Sequence, residues 1–260
     1  MSFRSVAINA AHGAGEILIK ESRRRATYTL KGRHDIQLPA DVKSETYIIR
    51  QIRKHFPDHS ILAEESGEHL TDSEYLWVID PLDATVNFSR GIEEYCVSIA
   101  LSYRDKLILG VVYQPPFKKL FIAKQGRGVF LNGKRIFVSK EKNPITMLIA
   151  TDNSADPQTR RRNLVTMSRI GLDVRHVRVF GSAALHLARV AAGSLDVYYR
   201  TTFHYWDIAA GVLLVKEAGG TVTDFHGKPF TRASEGLIAT NGLAHTRIVT
   251  MLHKASSLDS

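Results

Sequence analysis

Glu64, Asp80, Asp83 and Asp207 share one peculiarity: each lies at the end or the head of an apolar run rather than on a polar face. Glu64 follows SILA (residues 60–63), Asp80 follows YLWVI (75–79), and Asp83 comes one short turn later, beyond Pro81. Asp207 follows Trp206 and opens the apolar run IAAGVLLV. Carboxylates are rarely buried without a partner, so such a group needs compensating positive charge. The chain has a single cysteine, Cys96, so no thiolate cluster can hold zinc and no internal disulfide can form. Oxygen donors remain, and those suit a hard cation such as magnesium.

Simpler roles stand beside that one. Asp207 could cap the helix it opens, and Asp41 the helix it precedes. Asp80 and Asp83 could belong to a turn built on Pro81. Glu64 and Glu65 could be surface carboxylates, and a structural role is the simpler reading of His204, near Asp207. Ser182, after Gly181, reads as a helix N-cap, where exposed backbone N–H groups also suit an anion. No single residue decides between these readings; pattern and spacing together favour the metal site.

These residues need a scaffold of two kinds. From Phe3, apolar residues recur at helical spacing through Val6, Ala7, Ala10, Ala14, Ile17 and Leu18, predicting an amphipathic helix that ends near Arg23–Arg25. The polar segment 31–41 reads as a loop, and a helix follows it with Ile48, Ile49, Ile52 and Phe56 on one face, stopped by Pro57. Residues 60–63 and 75–79 read as strands. Between Tyr95 and Val138, short β-rich runs separated by turn residues predict an antiparallel meander, with Asn132-Gly133 as a hairpin turn.

Residues 139–146 form the best internal boundary, giving an N-terminal α+β half (1–143) that carries most candidate ligands and a C-terminal half (144–260) that carries Asp207. In the second half strands at MLIAT, VRVFG and LDVYYR alternate with helices near 159–170 and 182–192. The segment WDIAAGVLLVKEAGG is apolar nearly all round, predicting a buried helix closed by Gly219. The fold class expected is α+β.

At 260 residues and 44% apolar, the chain can fill one large core or two halves that share one. No apolar stretch approaches the roughly 20 residues of a bilayer span, and the N-terminus lacks a signal-peptide pattern. A soluble protein of a reducing cytoplasm is expected. The formal charge of +9 favours anionic partners, phosphorylated metabolites or nucleic acid. The basic runs Arg23–Arg25 and Arg160–Arg162 lack interleaved aromatics for base stacking and read as solvated helix ends, so nucleic acid is not favoured. Gly126-Arg127-Gly128 lies within the meander and reads as a hairpin turn rather than a phosphate loop.

The residues also carry a family resemblance. Residues 77–88 (WVIDPLDATVNF) resemble the first signature of the inositol monophosphatase family of magnesium-dependent, lithium-sensitive sugar phosphatases, and residues 206–220 (WDIAAGVLLVKEAGG) resemble the second. FPDHSILAEES, GSAALHLARVAAGSLDVYY, GKPF and GLIATN match in order, so the similarity spans essentially the whole chain. The resemblance implies a layered αβαβα sandwich, usually a homodimer, with two or three magnesium ions per site. By motif position, Glu64, Asp80 and the carbonyl of Leu82 would hold the first ion. Asp80, Asp83 and Asp207 would hold the second, and Asp41, with Glu64 through water, would belong to a third. Thr85 and Asp41 would orient the attacking water. Backbone groups at Ala84 and Thr85 would bind phosphate, with Gly181, Ser182, Ala183, Arg200 and Asp207 toward the rest of the substrate.

The chain departs from the family pattern in four places. Ala84 replaces a glycine. Leu38 replaces a threonine on the loop and is followed by Pro39, and the lysine of that loop aligns with Lys31 only across a gap. Arg200 stands where inositol-preferring members have a glutamate that binds substrate hydroxyls. An arginine there suits a second phosphate or a carboxylate. The expected activity is therefore hydrolysis of a phosphate monoester of a small polyol, sugar or nucleotide, with bisphosphorylated substrates such as fructose 1,6-bisphosphate raised against inositol 1-phosphate. A basic-surface RNA-binding protein of the same fold is the alternative from another class.

Overall fold

The computed structural model describes residues 1–24, 27–30, 36–154 and 156–257. Lys31 and Arg25, and most of the polar loop before residue 36, lie outside the described residues. Helix α1 (Phe3–Ser22) opens the chain, followed by the short strands β1 (Thr29–Leu30) and β2 (Ile36–Gln37) and by helix α2 (Pro39–His55). Then come β3 (Ser60–Ala63), β4 (Gly67–His69), β5 (Tyr75–Asp83), the short helix α3 (Thr85–Ser89), β6 (Cys96–Tyr103), β7 (Lys106–Gln114), β8 (Lys119–Lys124), β9 (Gly128–Leu131) and β10 (Lys134–Arg135). Leaving β1 and β2 aside, these strands form an eight-stranded sheet in the order β10-β9-β8-β7-β6-β5-β3-β4. Only β3 and β5 pair in parallel; the rest is the expected antiparallel meander.

The second half runs through β11 (Leu148–Thr151), α4 (Pro157–Ile170), β12 (His176–Arg178), α5 (Ala183–Ala191), β13 (Val197–Arg200), α6 (Tyr205–Glu217), β14 (Thr221–Thr223), β15 (Leu237–Thr240) and α7 (His245–Ser256). Its five-stranded sheet has the order β12-β11-β13-β15-β14 and mixes parallel and antiparallel pairs.

Alternation along β5 explains the layering. Trp77 and Ile79 point to one face, where α1 and α2 cover them with Ala7, Ala10, Ala14, Leu18, Ile48 and Ile52. Leu76 and Val78 point to the other, into a core shared with α5 and α6. Helix α6 is apolar all round because sheets lie on both sides of it: it packs on β5, β6, β7 and β8 and on β14 and β15. At Gly110 of β7 an added Cβ would lie 2.8 Å from the carbonyl oxygen of Ala210, so only glycine admits this approach of sheet and helix. Helices α4 and α7 pack together, and Ile170, Ile248 and Leu252 cover the outer face of the five-stranded sheet. The order helix, sheet, helix, sheet, helix is the expected αβαβα sandwich.

Several boundaries differ from expectation, each with a local cause. Helix α2 begins at Pro39, before Asp41, because proline suits the first helical position and Asp41 reaches back to the Leu38 N–H at 2.6 Å. Strand β5 does not stop at Ile79 but runs through Pro81 to Asp83, its register with β6 shifting between Asp80 and Asp83 as a bulge. Helix α6 begins at Tyr205, so Asp207 is its third residue, accepting from the His204 N–H at 3.1 Å. Gly219, with φ of +91°, follows the C-cap Ala218 and ends the helix in the left-handed region. Strands β1, β4, β14 and β15 and helices α3 and α7 were not foreseen as elements, and β2 lies within the segment expected to be a loop.

Candidate active site

The bulge of β5, the first turn of α6, the strand ends of β3, β11 and β13, and the loop before α5 surround a cavity of about 410 Å³. Glu64, Asp80, Leu82, Asp83, Ala84, Thr85, Gly181, Arg200 and Asp207 line it. Asp41 is fully buried beside it, and the Thr85 hydroxyl donates to Asp41 Oδ1 at 3.4 Å and to the Leu82 carbonyl at 3.1 Å. Ser182 and Ala183 do not line the cavity; they are buried behind Asp83. The structure thus draws together residues separated by as much as 166 positions (207 − 41).

Helix α2 braces the acids with a buried polar stripe, Asp41, Ser44 and Glu45, at helical spacing. Ser44 donates to the Pro81 carbonyl at 2.8 Å, holding the β5 bulge. Glu45 accepts from the N–H groups of Glu65 and Ser66, both at 2.8 Å, fixing the turn that follows Glu64. Glu65 is not a bare surface acid, since Gln37 donates to it. Within the bulge the Leu82 N–H donates to Asp80 Oδ1 at 3.0 Å.

Asp83 crosses from the first half of the chain to the second. Its Oδ2 accepts from the Ser182 hydroxyl at 2.6 Å and the Ala184 N–H at 2.8 Å, at the start of α5. The anion at that helix N-terminus is therefore a side chain of the protein itself. Ser182 is the N-cap as read from sequence, accepting from the Leu185 N–H at 3.2 Å. Asn87 on α3 ties the same junction, donating to the carbonyls of Phe180 and Glu94 at 2.7 and 2.9 Å.

The electrostatics are those of an acid cluster short of cations. Burial, then the charges of Glu64, Asp83 and Asp207, push Asp80 well above the ordinary carboxylate range. Burial lifts Asp83 to about 6, with Asp207 adding to the effect and the Ser182 hydroxyl opposing it. Among the described residues no Lys or Arg pairs with Asp80 or Asp83. Arg200 Nη1 lies 3.1 Å from Asp207 Oδ2. Burial would lower the Arg200 guanidinium, but Asp207, and then Tyr198 and Asp152, hold it above its usual range.

This donor set fits magnesium. It is made of oxygens, it is buried, and its excess negative charge calls for a divalent ion. Among the described residues no three His, Cys, Asp or Glu side chains are placed to hold a metal ion together as they stand, so side chains must turn inward for three of them to share one.

Sequence reasoning missed two charged residues of the cavity wall. Asp152, just past β11, accepts from the Tyr198 hydroxyl at 2.7 Å and the Gly181 N–H at 3.2 Å and contacts His186 Nδ1 at 3.2 Å. Burial would raise its carboxyl, but His186, Arg200 and Tyr198 hold it well below the usual range. It ends the apolar run MLIAT, so the rule that selected Glu64 and Asp80 would have selected it. Arg160 closes the first turn of α4 and lines the cavity, while Arg161 is exposed. Cations near a helix N-terminus oppose its dipole, and that misplacement was the available signal.

Residues 1–257 match the model of the inositol monophosphatase family. The chain is 41% identical over 240 residues to Nus factor SuhB of Pasteurella multocida, covering 90% of each chain. It is 37% identical over 223 residues to a fructose-1,6-bisphosphatase/inositol-1-monophosphatase of Thermotoga maritima, covering 86% of this chain and 84% of that one. A solved IMPase structure from Thermotoga maritima superposes with a TM-score of 0.92 at 34% identity over 99% of both chains. With the acid cluster, the bulged strand and the layered fold in agreement, the chain belongs to the inositol monophosphatase family.

Proposed function

We propose that the chain is a magnesium-dependent phosphatase of small sugar, polyol or nucleotide phosphates that carry a second anionic group. The observation that carries this reading is the meeting of an oxygen-only acid cluster with two arginines, Arg160 and Arg200, in one cavity. Phosphatase activity itself follows from family membership; the metal and the substrate class are the proposal.

Glu64, Asp80 and the Leu82 carbonyl would hold one magnesium, Asp80, Asp83 and Asp207 a second, and Asp41 with Glu64 a third. When bound, such ions lower the pKa of water and stabilise the leaving alkoxide, which suits a reaction whose demand is placement and charge neutralisation. Thr85 donates its hydroxyl proton toward Asp41 Oδ1 and the Leu82 carbonyl, so its oxygen lone pairs are left to accept from a water. Asp41, anchored by the Leu38 N–H, is then positioned to accept the proton. Backbone N–H groups at Ala84 and Thr85 would bind the transferred phosphate, while Arg200 and Arg160 hold the distal anion. A homodimer in the cytoplasm belongs to the same proposal, and light scattering of the purified protein reads the dimer.

The test is phosphate release from inositol 1-phosphate, fructose 1,6-bisphosphate, 3′-phosphoadenosine 5′-phosphate and NADP by the wild type and Arg200→Glu. Doubly anionic substrates should lead, and the substitution should shift preference toward inositol 1-phosphate. Preference for inositol 1-phosphate by both proteins would overturn the substrate class. The net charge of +9 and the relative named Nus factor SuhB favour a second reading, in which the surface binds RNA. Salt-sensitive RNA binding unchanged by Asp83→Asn, with no turnover of any phosphate ester, would establish that reading instead.

A further inference from the structure

Asp207 is held from two sides on one oxygen. The His204 N–H and Arg200 Nη1 both reach Oδ2, each at 3.1 Å, and Oδ1 takes no bond among the described residues. The two side chains are 21% and 12% exposed, so the pair is partly shielded from solvent. A cation approaching Oδ1 would therefore meet the Arg200 charge at close range while Arg200 stays on Oδ2, and like charges at such distances repel strongly where solvent is thin.

The backbone beneath Arg200 is fixed. Arg200 pairs with Leu237 across β13 and β15, and a Cβ at Gly236 would sit 3.0 Å from the Arg200 carbonyl oxygen. Gly236 itself has φ of +74°, so this tight crossing needs glycine. Only the Arg200 side chain is left to move, and it moves within a cavity that Arg160 also lines.

We propose that Arg200 is a resident counter-ion of Asp207 that exchanges this carboxylate for the distal anionic group of the substrate, so that the second cation and a doubly anionic substrate bind cooperatively. The inference rests on the reading of the site as a metal-dependent phosphatase. A guanidinium suits the exchange because its planar fork fits carboxylate and phosphate alike. Coupling of this kind is reciprocal: the distal anion tightens the cation by the factor by which the cation tightens the anion.

The test is binding rather than turnover. Mn²⁺ stands in for Mg²⁺, and free Mn²⁺ is counted by electron paramagnetic resonance over the wild type, Arg200→Gln and Arg200→Lys, with thermal melts confirming that each is folded. The weaker class of Mn²⁺ should tighten about tenfold in Arg200→Gln and stay weak in Arg200→Lys, which keeps the charge. Hexane-1,6-bisphosphonate, whose P–C bonds a phosphatase does not cleave, should tighten that class in the wild type more than a monophosphonate does, and should lose this advantage in Arg200→Gln. Indistinguishable Mn²⁺ isotherms for folded wild type and Arg200→Gln would overturn the exchange while leaving the phosphatase reading intact. No Mn²⁺ binding by the wild type would overturn both.

Discussion

The hydroxyl of Ser182 donates to Asp83 Oδ2 across 2.6 Å, joining residues that are 99 positions apart and belong to opposite halves of the chain. The same hydroxyl caps α5 by accepting from the Leu185 N–H, so one side chain closes a helix end and anchors a candidate metal ligand. Ser182→Ala should therefore cost about 1–2 kcal/mol of stability, measured by denaturant unfolding. With the opposing hydroxyl removed, Asp83 should rise further, so the acid limb of the pH–rate profile should move toward higher pH. An unmoved acid limb in a destabilised variant would mean that Ser182 is only a cap.

The raised pKa values of Asp80 and Asp83 give a pH dependence with a defined sign. A carboxylate with a raised folded pKa holds its proton longer in the folded state. Metal-free protein should thus lose stability as pH rises from the ordinary carboxylate range toward and above about 6. Asp152 acts in the opposite sense: its depressed carboxyl contributes stability above the ordinary range that is lost as pH falls. Asp152 therefore adds no slope above the ordinary carboxylate range. The rise in melting temperature caused by MgCl₂ should therefore widen between about pH 5 and 7.5. A magnesium effect constant across that range would contradict the assignment of the cluster.

Ala84 occupies the left-handed region, with φ of 79° and ψ of 50°, at the position where the family motif has glycine. The β-carbon costs about 1–2 kcal/mol there, part of which glycine's greater chain entropy would offset. Ala84→Gly should raise stability by up to about 1 kcal/mol, read as a melting-temperature increase of about 2–4 °C. Ala84→Val should be clearly destabilising, because branching at Cβ worsens the same clash. A lower melting temperature for Ala84→Gly would show that the turn carries no strain.

Asp152 is buried among His186, Tyr198 and the Gly181 N–H. Asp152→Asn leaves that set without its charge, and unfolding free energy should fall by about 3 kcal/mol or more. A loss below about 1 kcal/mol would show the network to be dispensable.

Much of this arrangement was legible in the residues and some was not, for physical reasons. Alternation and helical spacing locate elements whose faces differ, which is why the meander, α1 and α2 emerge. β15 is buried throughout and only four residues long, and β14 is shorter still, so neither shows a period. Acids at the ends of apolar runs marked the cavity wall, because burial of charge is a local anomaly. Their braces were invisible: Glu45 to the Glu65 turn, Ser44 to Pro81 and Ser182 to Asp83 are ordinary residues whose role depends on what the fold brings opposite them. The helical position of Asp41 and Asp207 depended on which residue begins each helix, and a proline and a neighbouring backbone N–H decided that. Arg200 was notable in sequence as a departure, but its pairing with Asp207 required the crossing of β13 and the α6 start.

The most direct measurement is phosphate release from fructose 1,6-bisphosphate as Mg²⁺ is titrated into metal-stripped wild type and Asp80→Asn, with melts showing both folded. Asp80 is the buried acid shared by the first and second proposed ion positions. The wild type should show saturable dependence on Mg²⁺, and Asp80→Asn should lose about 100-fold or more of its activity. Release that persists in chelator, or that survives Asp80→Asn undiminished, would contradict the claim that this cluster performs the chemistry through bound cations.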